Sequence, residues 1–505
     1  MRTLYDFLRL NARRYPDKVA VRDQSRSLTY RELFERATSA GAALSELGTE
    51  TGSNVGILAG NSVWCAESYL AVLAAGATPV MYNWRWATPE LVFALNDSQV
   101  GTVLVDSEHE RPLAVALESG SVAAPPRVVR EGADFDSLIG QGYSIVPDSD
   151  LSAANVIIYT GGTTGFPKGV VLSERTIMTN ALNEIIDTDM EHCDTTLLIA
   201  PMYHAASLLC WFVPHIVLGA TSYLVNRFDE QQVGAIVEQC EVTNGFLVPN
   251  MVRRLIAAGT FDKFDWSSYR RMYVGGATFR MPDKIEIKKA LPDVKIYYQY
   301  GLSEGGPIVT RLRPEDIFRE DVDGSIGQEF LFAEVQVHDV VTRQPVAAGV
   351  VGELVVRGNV MDGYFGRPVE TADVLPPDGW LRTGDLVSRD AAGFFFYHDR
   401  SKDMIKSGGE NVYSAEVERV LYAHPAVMEA AVFGRKSDAW DEEVCAVIAL
   451  KVDCATTAAE LIEWCRRSLA GYKVPRKIAF LNPGDMPVNE SGKLIKRDLR
   501  TMEIF

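Results

Sequence analysis

Apolar residues recur along this chain in two rhythms, and the alternation between them outlines the fold. Over residues 3–15 the rhythm is helical, with Leu4, Phe7, Leu8 and Leu10 toward one side and Arg13 and Arg14 near the end. KVAVRD (18–23) and SLTYREL (27–33) predict a strand, a turn and a helix that takes Thr29 as its N-cap and stops at Gly48. NVGILAG (54–60), a helix over 62–75, TPVMYN (78–83) and TVLVD (102–106) continue the pattern. Strands alternating with helices predict a mostly parallel sheet covered on both faces. Residues 107–150 read as loop-rich and acidic.

A second α/β stretch spans about 176–315. TTLLIA (195–200), ATSYLV (220–225), VTNGFLVP (242–249), RMYVGGA (271–277) and KIYYQYG (295–301) read as strands, with helices such as EQQVGAIVEQC and PNMVRRLIAA between them. Open sheets of this kind carry their sites at the strand ends. From about 325 to 398 the texture becomes short alternating strands, EVQVHD, GELVVRG and GFFFYHD, joined by Gly-rich turns. DRSKDMIKSGGE (399–410) has no hydrophobic period and reads as a junction. A compact pattern follows: a helix from Ser414 to Tyr422, EAAVFG, VCAVIAL, a helix from Thr457 to Leu469, and KIAFL. The expected class is therefore α/β. A large N-terminal domain, 1–399, has two α/β lobes and a small β subdomain; a small α+β C-terminal domain spans 400–505.

Composition narrows the function. The 505 residues are 47% hydrophobic and 23% charged, an ordinary globular balance that excludes global disorder. The net charge of −17 argues against a nucleic-acid surface and against steering to anionic membranes. The seven cysteines form no C-x-x-C pair and are odd in number, so reduced thiols in the cytoplasm are expected rather than disulfides or zinc. No stretch reaches the roughly 18 uninterrupted apolar residues of a membrane span. The longest candidate, 205–218, is broken by Pro214 and His215, and the first residues lack a signal peptide's continuous apolar region.

The chemically richest stretch is YTGGTTGFPKG (159–169), between apolar NVIIY and VVL. Gly161, Gly162 and Gly165 allow backbone N–H groups to curl toward an anion. Thr160, Thr163 and Thr164 add hydroxyls, and Lys168 adds a point charge. The stretch suits phosphate, although its glycines alone would also suit a plain hairpin turn. It differs from the ordinary P-loop, which needs Gly-Lys-Ser/Thr; here Pro167 precedes Lys168 and Gly169 follows it.

Five further stretches follow in order: PMYHAAS with His204; YQYGLSEGG with Tyr300, Gly301, Ser303 and Glu304; GWLRTGDL with Asp385; HDRSKDMIKSGGENVYSAEVE; and PVNESGKLIKRDL with Lys493. Together with the glycine stretch they resemble the adenylate-forming superfamily, which includes AMP-forming acyl-CoA synthetases, peptide-synthetase adenylation domains and beetle luciferase. The resemblance covers nearly the whole chain. KSGGENVYSAEVE and AGYKVPRKIAF look most like fatty-acyl and aryl CoA ligases.

The resemblance implies two steps that use ATP, Mg²⁺ and coenzyme A. A hydrophobic carboxylic acid attacks the α-phosphorus to give acyl-AMP and pyrophosphate; a thiol then displaces AMP. By resemblance, the 160–169 loop holds the β- and γ-phosphates and Glu304 binds Mg²⁺. Tyr300 stacks on adenine beside the backbone of Gly275, Gly276 and Ala277; on its own Tyr300 would suit a core position. Asp385 accepts the ribose hydroxyls, though alone it would equally suit an Asx-turn, and Arg400 adds a ribose or phosphate contact. Lys493 reaches the carboxylate and phosphate in the first step, and His204 lies on the carboxylate side. Lys402 marks a hinge about which the mobile last domain rotates, withdrawing Lys493 and bringing Ser407, Gly408, Gly409 and Glu410 to the site for coenzyme A. The acyl pocket is expected around Ala205, Ala206, Phe246, Gly275, Gly301 and Gly306. No aspartate stands near His204-Ala205-Ala206 for an α-amine, which disfavours amino acids and leaves aliphatic and ring-bearing acids.

The chain departs from the family pattern at two places. Gly161 replaces a serine, which removes a hydroxyl and is expected to weaken ATP binding or alter loop closure. Ser414 stands where proline is common, which reads as harmless. Three alternatives stay open: an acyl-AMP ligase loading a carrier protein, an enzyme that stops at adenylation, and a non-catalytic acyl or nucleotide sensor. Light-emitting chemistry is remote, and assembly as a homodimer is open.

Overall fold

The computed structural model describes residues 2–139, 151–160, 167–407, 410–437, 440–451, 453–487, 494–502 and 504. The chain divides into two compact units. The first comprises Met1–Asp323, Gly327–Val335 and Val356–Leu381; the second comprises Gly324–Ile326, Gln336–Val355 and Arg382–Phe505.

The first unit holds a seven-stranded sheet in the order Gly363–Tyr364, Lys168–Ser173, Ala154–Thr160, Thr78–Met81, Asn54–Leu58, Thr102–Val105, Arg127–Arg130. From Ala154–Thr160 to Arg127–Arg130 neighbouring strands are parallel, and the central Thr78–Met81 has no exposed residue. A second run of strands, also mostly parallel, follows the order Ile308–Leu312, Lys295–Gly301, Arg271–Gly275, Asn244–Leu247, Thr195–Leu198, Thr221–Leu224, Val19–Arg22, Ser27–Thr29. Helices pack closely over these layers. A Cβ on Gly41 would lie 2.6 Å from the Ala71 carbonyl, so glycine lets helix Tyr30–Glu46 meet helix Val63–Ala74 backbone to backbone.

The expected mixed α/β class holds, with local corrections. The first helix is Leu4–Arg14, capped by Thr3, and it buries Leu4, Tyr5, Leu8, Asn11 and Ala12 while Phe7 and Leu10 are only partly covered. Asn11 is buried because its amide donates to the carbonyls of Ile216 and Val217. Residues 107–139 are not loop: they form helix Glu110–Glu118, strand Arg127–Arg130 and helix Ala133–Ile139. The strand is the sheet's edge, so its flanking arginines stay in water and mask the two valines that carry the pattern.

In the second unit, Leu381–Arg389 and Phe395–Arg400 pair antiparallel. The presumed junction after them carries two three-residue strands, Ile405–Ser407 and Glu410–Val412, too short to express a period. The long antiparallel pair Val427–Ser437 and Asp441–Leu450, with Lys477–Phe480 parallel beside it, is packed by helices Ser414–Tyr422 and Ala458–Arg466 around Val417, Leu421, Val432, Val444, Ala446 and Leu461.

Candidate active site

The glycine stretch is flanked by a hairpin. Ala154–Thr160 runs antiparallel to Lys168–Ser173, and the last pair in register is Thr160 with Lys168. Gly161, Gly162, Thr163, Thr164 and Gly165 lie outside the described residues, as do Gly408, Gly409 and Lys493. The hairpin fixes the two ends of the loop whatever it binds: Thr160 and Lys168 face each other, both half-buried.

Glu304 sits close by, in the single turn Ser303–Gly305 that follows strand Lys295–Gly301. Sterics shape this turn. A Cβ on Gly301 would lie 2.1 Å from the Pro307 carbonyl oxygen, and Gly306 has φ +83° with a Cβ position 2.4 Å from the Asn359 carbonyl oxygen. The segment 359–364 also ties it down: Asn359 Nδ2 donates to the Gly306 carbonyl (2.9 Å) and Met361 N to the Glu304 carbonyl (2.9 Å). Gly306 is thus occupied with the turn. At the carboxylate, Glu304 Oε1 accepts from the Tyr364 hydroxyl at 3.0 Å and from the Thr160 hydroxyl at 3.5 Å. The Lys168 ammonium lies 4.8 Å from the centre of the Tyr364 ring. Burial first, then the Glu304 charge, pushes the Tyr364 phenol pKa up, so it remains a donor.

The expected adenine edge is a turn at the end of strand Arg271–Gly275. Gly276 has φ +81°, and a Cβ on Gly275 would lie 2.9 Å from the Gln299 carbonyl and 3.3 Å from Phe246 Cε2. Tyr300 pairs with Thr310, and the Tyr298 hydroxyl donates to the Ala277 carbonyl at 3.1 Å, so the Gly275–Ala277 turn and the strand that carries Tyr300 are linked.

His204 precedes a π-helix, Ala206–Phe212. Its ring lies 4.5 Å from that of Tyr203, and its Nε2 is buried with no hydrogen-bond partner among the described residues. Burial, and secondarily the Arg85 charge, lowers its pKa to about 4, so the imidazole is neutral at ordinary pH. Ala205 and Phe246 are buried. Phe246 and Tyr273 are register partners on adjacent strands, and Trp211 of the π-helix stacks on both, at 4.0 Å and 22° to Tyr273 and 5.9 Å and 18° to Phe246. The three rings form a stacked, buried cluster, and Phe246 carries it to the edge of Gly275.

In the second unit Asp385 is not in an Asx-turn. It lies within strand Leu381–Arg389 opposite Arg400, almost fully buried, with Arg400 Nε 3.1 Å from its Oδ1. Lys402 is exposed just beyond. Ser407 is buried, and its hydroxyl has no hydrogen-bond partner among the described residues. Asp399 accepts from the backbone N–H groups of Arg400 (2.8 Å) and Ser414 (2.5 Å). Lys496 reaches both Glu418 (2.9 Å) and the Ser414 hydroxyl. Despite burial, which favours the neutral amine, Lys496 is held charged by Glu418 and Asp399. Ser414, read from sequence as a harmless departure, therefore carries two buried hydrogen bonds.

The sequence reading missed Tyr364, Asn359 and Asp399. Asp399 adjoins the noted Arg400, but nothing in the run of letters marks Tyr364 as Glu304's neighbour. Among the described residues no group of three or more His, Cys, Asp or Glu is arranged to hold a metal ion. No described helix is long and apolar enough to cross a membrane.

The family model for AMP-binding enzymes matches residues 8–365, and that for the AMP-binding enzyme C-terminal domain matches 416–493. The chain belongs to the AMP-binding enzyme family. Feruloyl-CoA synthase of an Amycolatopsis species is 35% identical over 492 residues, 97% of this chain and 96% of the relative. A 2-succinylbenzoate–CoA ligase of Bacillus cereus is 31% identical, covering 99% of each chain. The o-succinylbenzoate CoA synthetase of Bacillus subtilis, solved with its acyl-adenylate intermediate, superposes with a TM-score of 0.87 at 28% identity, over 100% of this chain and 99% of that one. The resemblance read from the motifs is thus membership. The enzyme is an ATP-dependent ligase that activates a carboxylic acid as acyl-AMP and passes it to coenzyme A.

Proposed function

We propose that the acid is ring-bearing and that this enzyme makes an aryl or arylalkenyl CoA thioester rather than a fatty-acyl one. The observation that carries this is the aromatic cluster of Tyr273, Trp211 and Phe246, whose Phe246 ring reaches the edge of Gly275. Stacked aromatic side chains favour a planar partner by offset stacking, worth about 0.5–1.5 kcal/mol for each ring pair beyond the area buried. The names of the relatives, feruloyl-CoA synthase and 2-succinylbenzoate–CoA ligase, point the same way.

The roles follow from chemistry. Thr160, the glycines and Lys168 grip the phosphates that leave as pyrophosphate. Lys493 brings its ammonium to the acid's carboxylate and the α-phosphate, offsetting the repulsion of two anions as the carboxylate oxygen bonds to phosphorus. His204, neutral at working pH, borders the carboxylate without adding charge. Tyr300 and the Gly275–Ala277 turn take the adenine; Asp385 and Arg400 take the ribose.

Glu304 fits Mg²⁺. One carboxylate oxygen is engaged by two hydroxyls, and the other makes no hydrogen bond or ion pair with a described residue. Mg²⁺ characteristically takes one or two carboxylates and completes its shell with phosphate oxygens and water. Bound there it supplies charge that offsets the phosphates. In the second step the thiol sulfur attacks the acyl carbon, the bond to AMP breaks, and the thiol proton passes to solvent. Rotation of residues 400–505 about Lys402 exchanges Lys493 for Ser407–Glu410. Free cysteines fit a cytoplasmic setting.

A panel of cinnamic, benzoic and C8–C16 fatty acids, assayed with ATP in the presence and absence of coenzyme A, tests the proposal. Ring-bearing acids are expected to exceed fatty acids at least tenfold in kcat/KM, with CoA-dependent thioester as product. A preference for the fatty acids overturns it.

A further inference from the structure

Tyr364 occupies a junction in the first unit. It lies in the two-residue strand Gly363–Tyr364, which pairs with Val170 and Val171 of the hairpin that bounds the glycine loop. One residue on, Phe365 N donates to the Gly169 carbonyl at 2.8 Å. The tyrosine's backbone is therefore fixed to the same strand that presents Lys168. Its hydroxyl reaches Glu304 Oε1, on a turn that the preceding residues Asn359 and Met361 already hold by its carbonyls. Its ring is the seat over which the Lys168 ammonium rests.

We propose that Tyr364 is a positioning residue of the adenylation step. It sets the carboxylate of Glu304 and the ammonium of Lys168 at a fixed spacing, so that one nucleotide can meet both. This rests on the reading of Glu304 as the carboxylate that receives Mg²⁺. The hydroxyl and the ring do different work. The hydroxyl donates to Oε1 and so holds the carboxylate by one oxygen, leaving the second for the cation. A hydrogen bond to a charged group is among the stronger kinds, and its loss lets the carboxylate rotate. The ring attracts the ammonium through its negative face and holds a long, flexible side chain in one place. Thr160, on the opposite hairpin strand, supplies only a 3.5 Å contact to the same oxygen and does not replace the tyrosine.

The two functions separate by substitution. Tyr364→Phe keeps the ring and removes the donor; Tyr364→Gln keeps a donor and removes the ring. ATP binding to the whole enzyme is measured by calorimetry with excess Mg²⁺ and again with EDTA, beside Glu304→Gln as reference. Thermal melts check that each variant is folded. For Tyr364→Phe the affinity with Mg²⁺ is expected to fall about tenfold, the effect of one charge-assisted hydrogen bond, while the affinity in EDTA stays within about twofold. For Tyr364→Gln the affinity in EDTA is expected to fall about fivefold, from loss of the cation–π seat. A purely structural role would lower both affinities together, along with the melting temperature. If Glu304→Gln abolishes the Mg²⁺ enhancement and Tyr364→Phe leaves it whole, Tyr364 is not a positioning residue although Glu304 stands. If Glu304→Gln leaves the enhancement whole, the Glu304 reading falls and the proposal falls with it.

Discussion

The two units hold their candidate residues by different physics. In the first, the turn 301–306 and the Gly275–Ala277 turn are set by steric exclusion: Gly301, Gly275 and Gly306 each press a Cβ position against a backbone carbonyl at 2.1–2.9 Å. Around them lie stacked rings and a neutral buried histidine. In the second, the candidates Asp385 and Arg400 form an ion pair, and Lys496 with Glu418 and Arg500 with Asp403 form others. Steric contacts have one solution, because packed interiors do not deform continuously. Exposed ion pairs such as Arg500–Asp403 can be exchanged for water or for other partners at modest cost, whereas the buried pairs of Asp385 and Lys496 cannot. A rigid template in one unit and a partly re-pairable one in the other is a contrast that substitutions can break.

The harshest way to break this contrast is at Gly301. Gly301→Ala places a methyl 2.1 Å from the Pro307 carbonyl, which is backbone and cannot swing aside. Overpacking of this kind costs about 3 kcal/mol or more, at or above the top of its usual range. Acid-dependent pyrophosphate exchange is expected to fall at least a hundredfold, with a lower urea midpoint. Native exchange in a protein of native stability would remove steric exclusion as the cause of the turn.

The neutral interior of the first unit gives the next effect. Burial lowers His204 and His215 to about 4, the second in spite of Asp194 nearby. The unfolded rings titrate near 6.5, so between pH 6.5 and 4 the unfolded chain binds protons that the native rings refuse. Stability from this source is whole above pH 6.5, declines as pH falls through that window, and changes no further below it. The loss is on the order of 3 kcal/mol per ring. Urea unfolding of wild type and His215→Gln across pH 4–7 checks it: the variant should lose about one proton's worth of slope. Parallel curves would mean that His215 is charged in the native state.

These contrasts also explain what was legible. The strand-helix alternation, the order of motifs and the hairpin around 159–169 could be read because burial and turn chemistry repeat on a scale of a few residues. The strands in 399–412 could not, because three-residue strands such as Ile405–Ser407 display no period. Asp385 looked like a turn residue because Thr-Gly precedes it, yet the decisive feature is its cross-strand neighbour Arg400, fifteen positions away. Tyr364 meets Glu304 across sixty residues, and Ser414 owes its two bonds to Asp399 and Lys496. Such pairings exist only once the chain is folded.

Asp399 sharpens the comparison at an intermediate scale. Its two oxygens serve two backbone donors, one before and one after Lys402. Asp399→Asn keeps the shape but offers one oxygen in place of two, leaving a buried N–H without an acceptor. The expected cost is about 1–3 kcal/mol. Because the bond to Ser414 crosses the proposed hinge, the rates of adenylation and of thioester formation are expected to shift unequally. Equal changes in both, measured by pyrophosphate exchange and single-turnover thioester formation, would confine Asp399 to general stability.

The smallest effect is the most specific to the second unit. Arg500 Nη2 lies 3.2 Å from Asp403 Oδ1, with side chains 33% and 19% exposed. Water shares that pair, so it is worth about 0.2–1 kcal/mol, far below its Coulomb energy in a dry interior. Arg500→Gln should therefore lower stability by less than about 1 kcal/mol in low salt. The difference should vanish in 1 M NaCl, where the screening length is about 3 Å. Gly301→Ala, by contrast, should keep its full deficit in salt, since ions do not relieve a clash. If the Arg500 deficit persisted in 1 M NaCl or exceeded about 2 kcal/mol, the side chain would be acting through packing. The second unit would then be built as rigidly as the first, and the division between a steric template and an exchangeable one would fail.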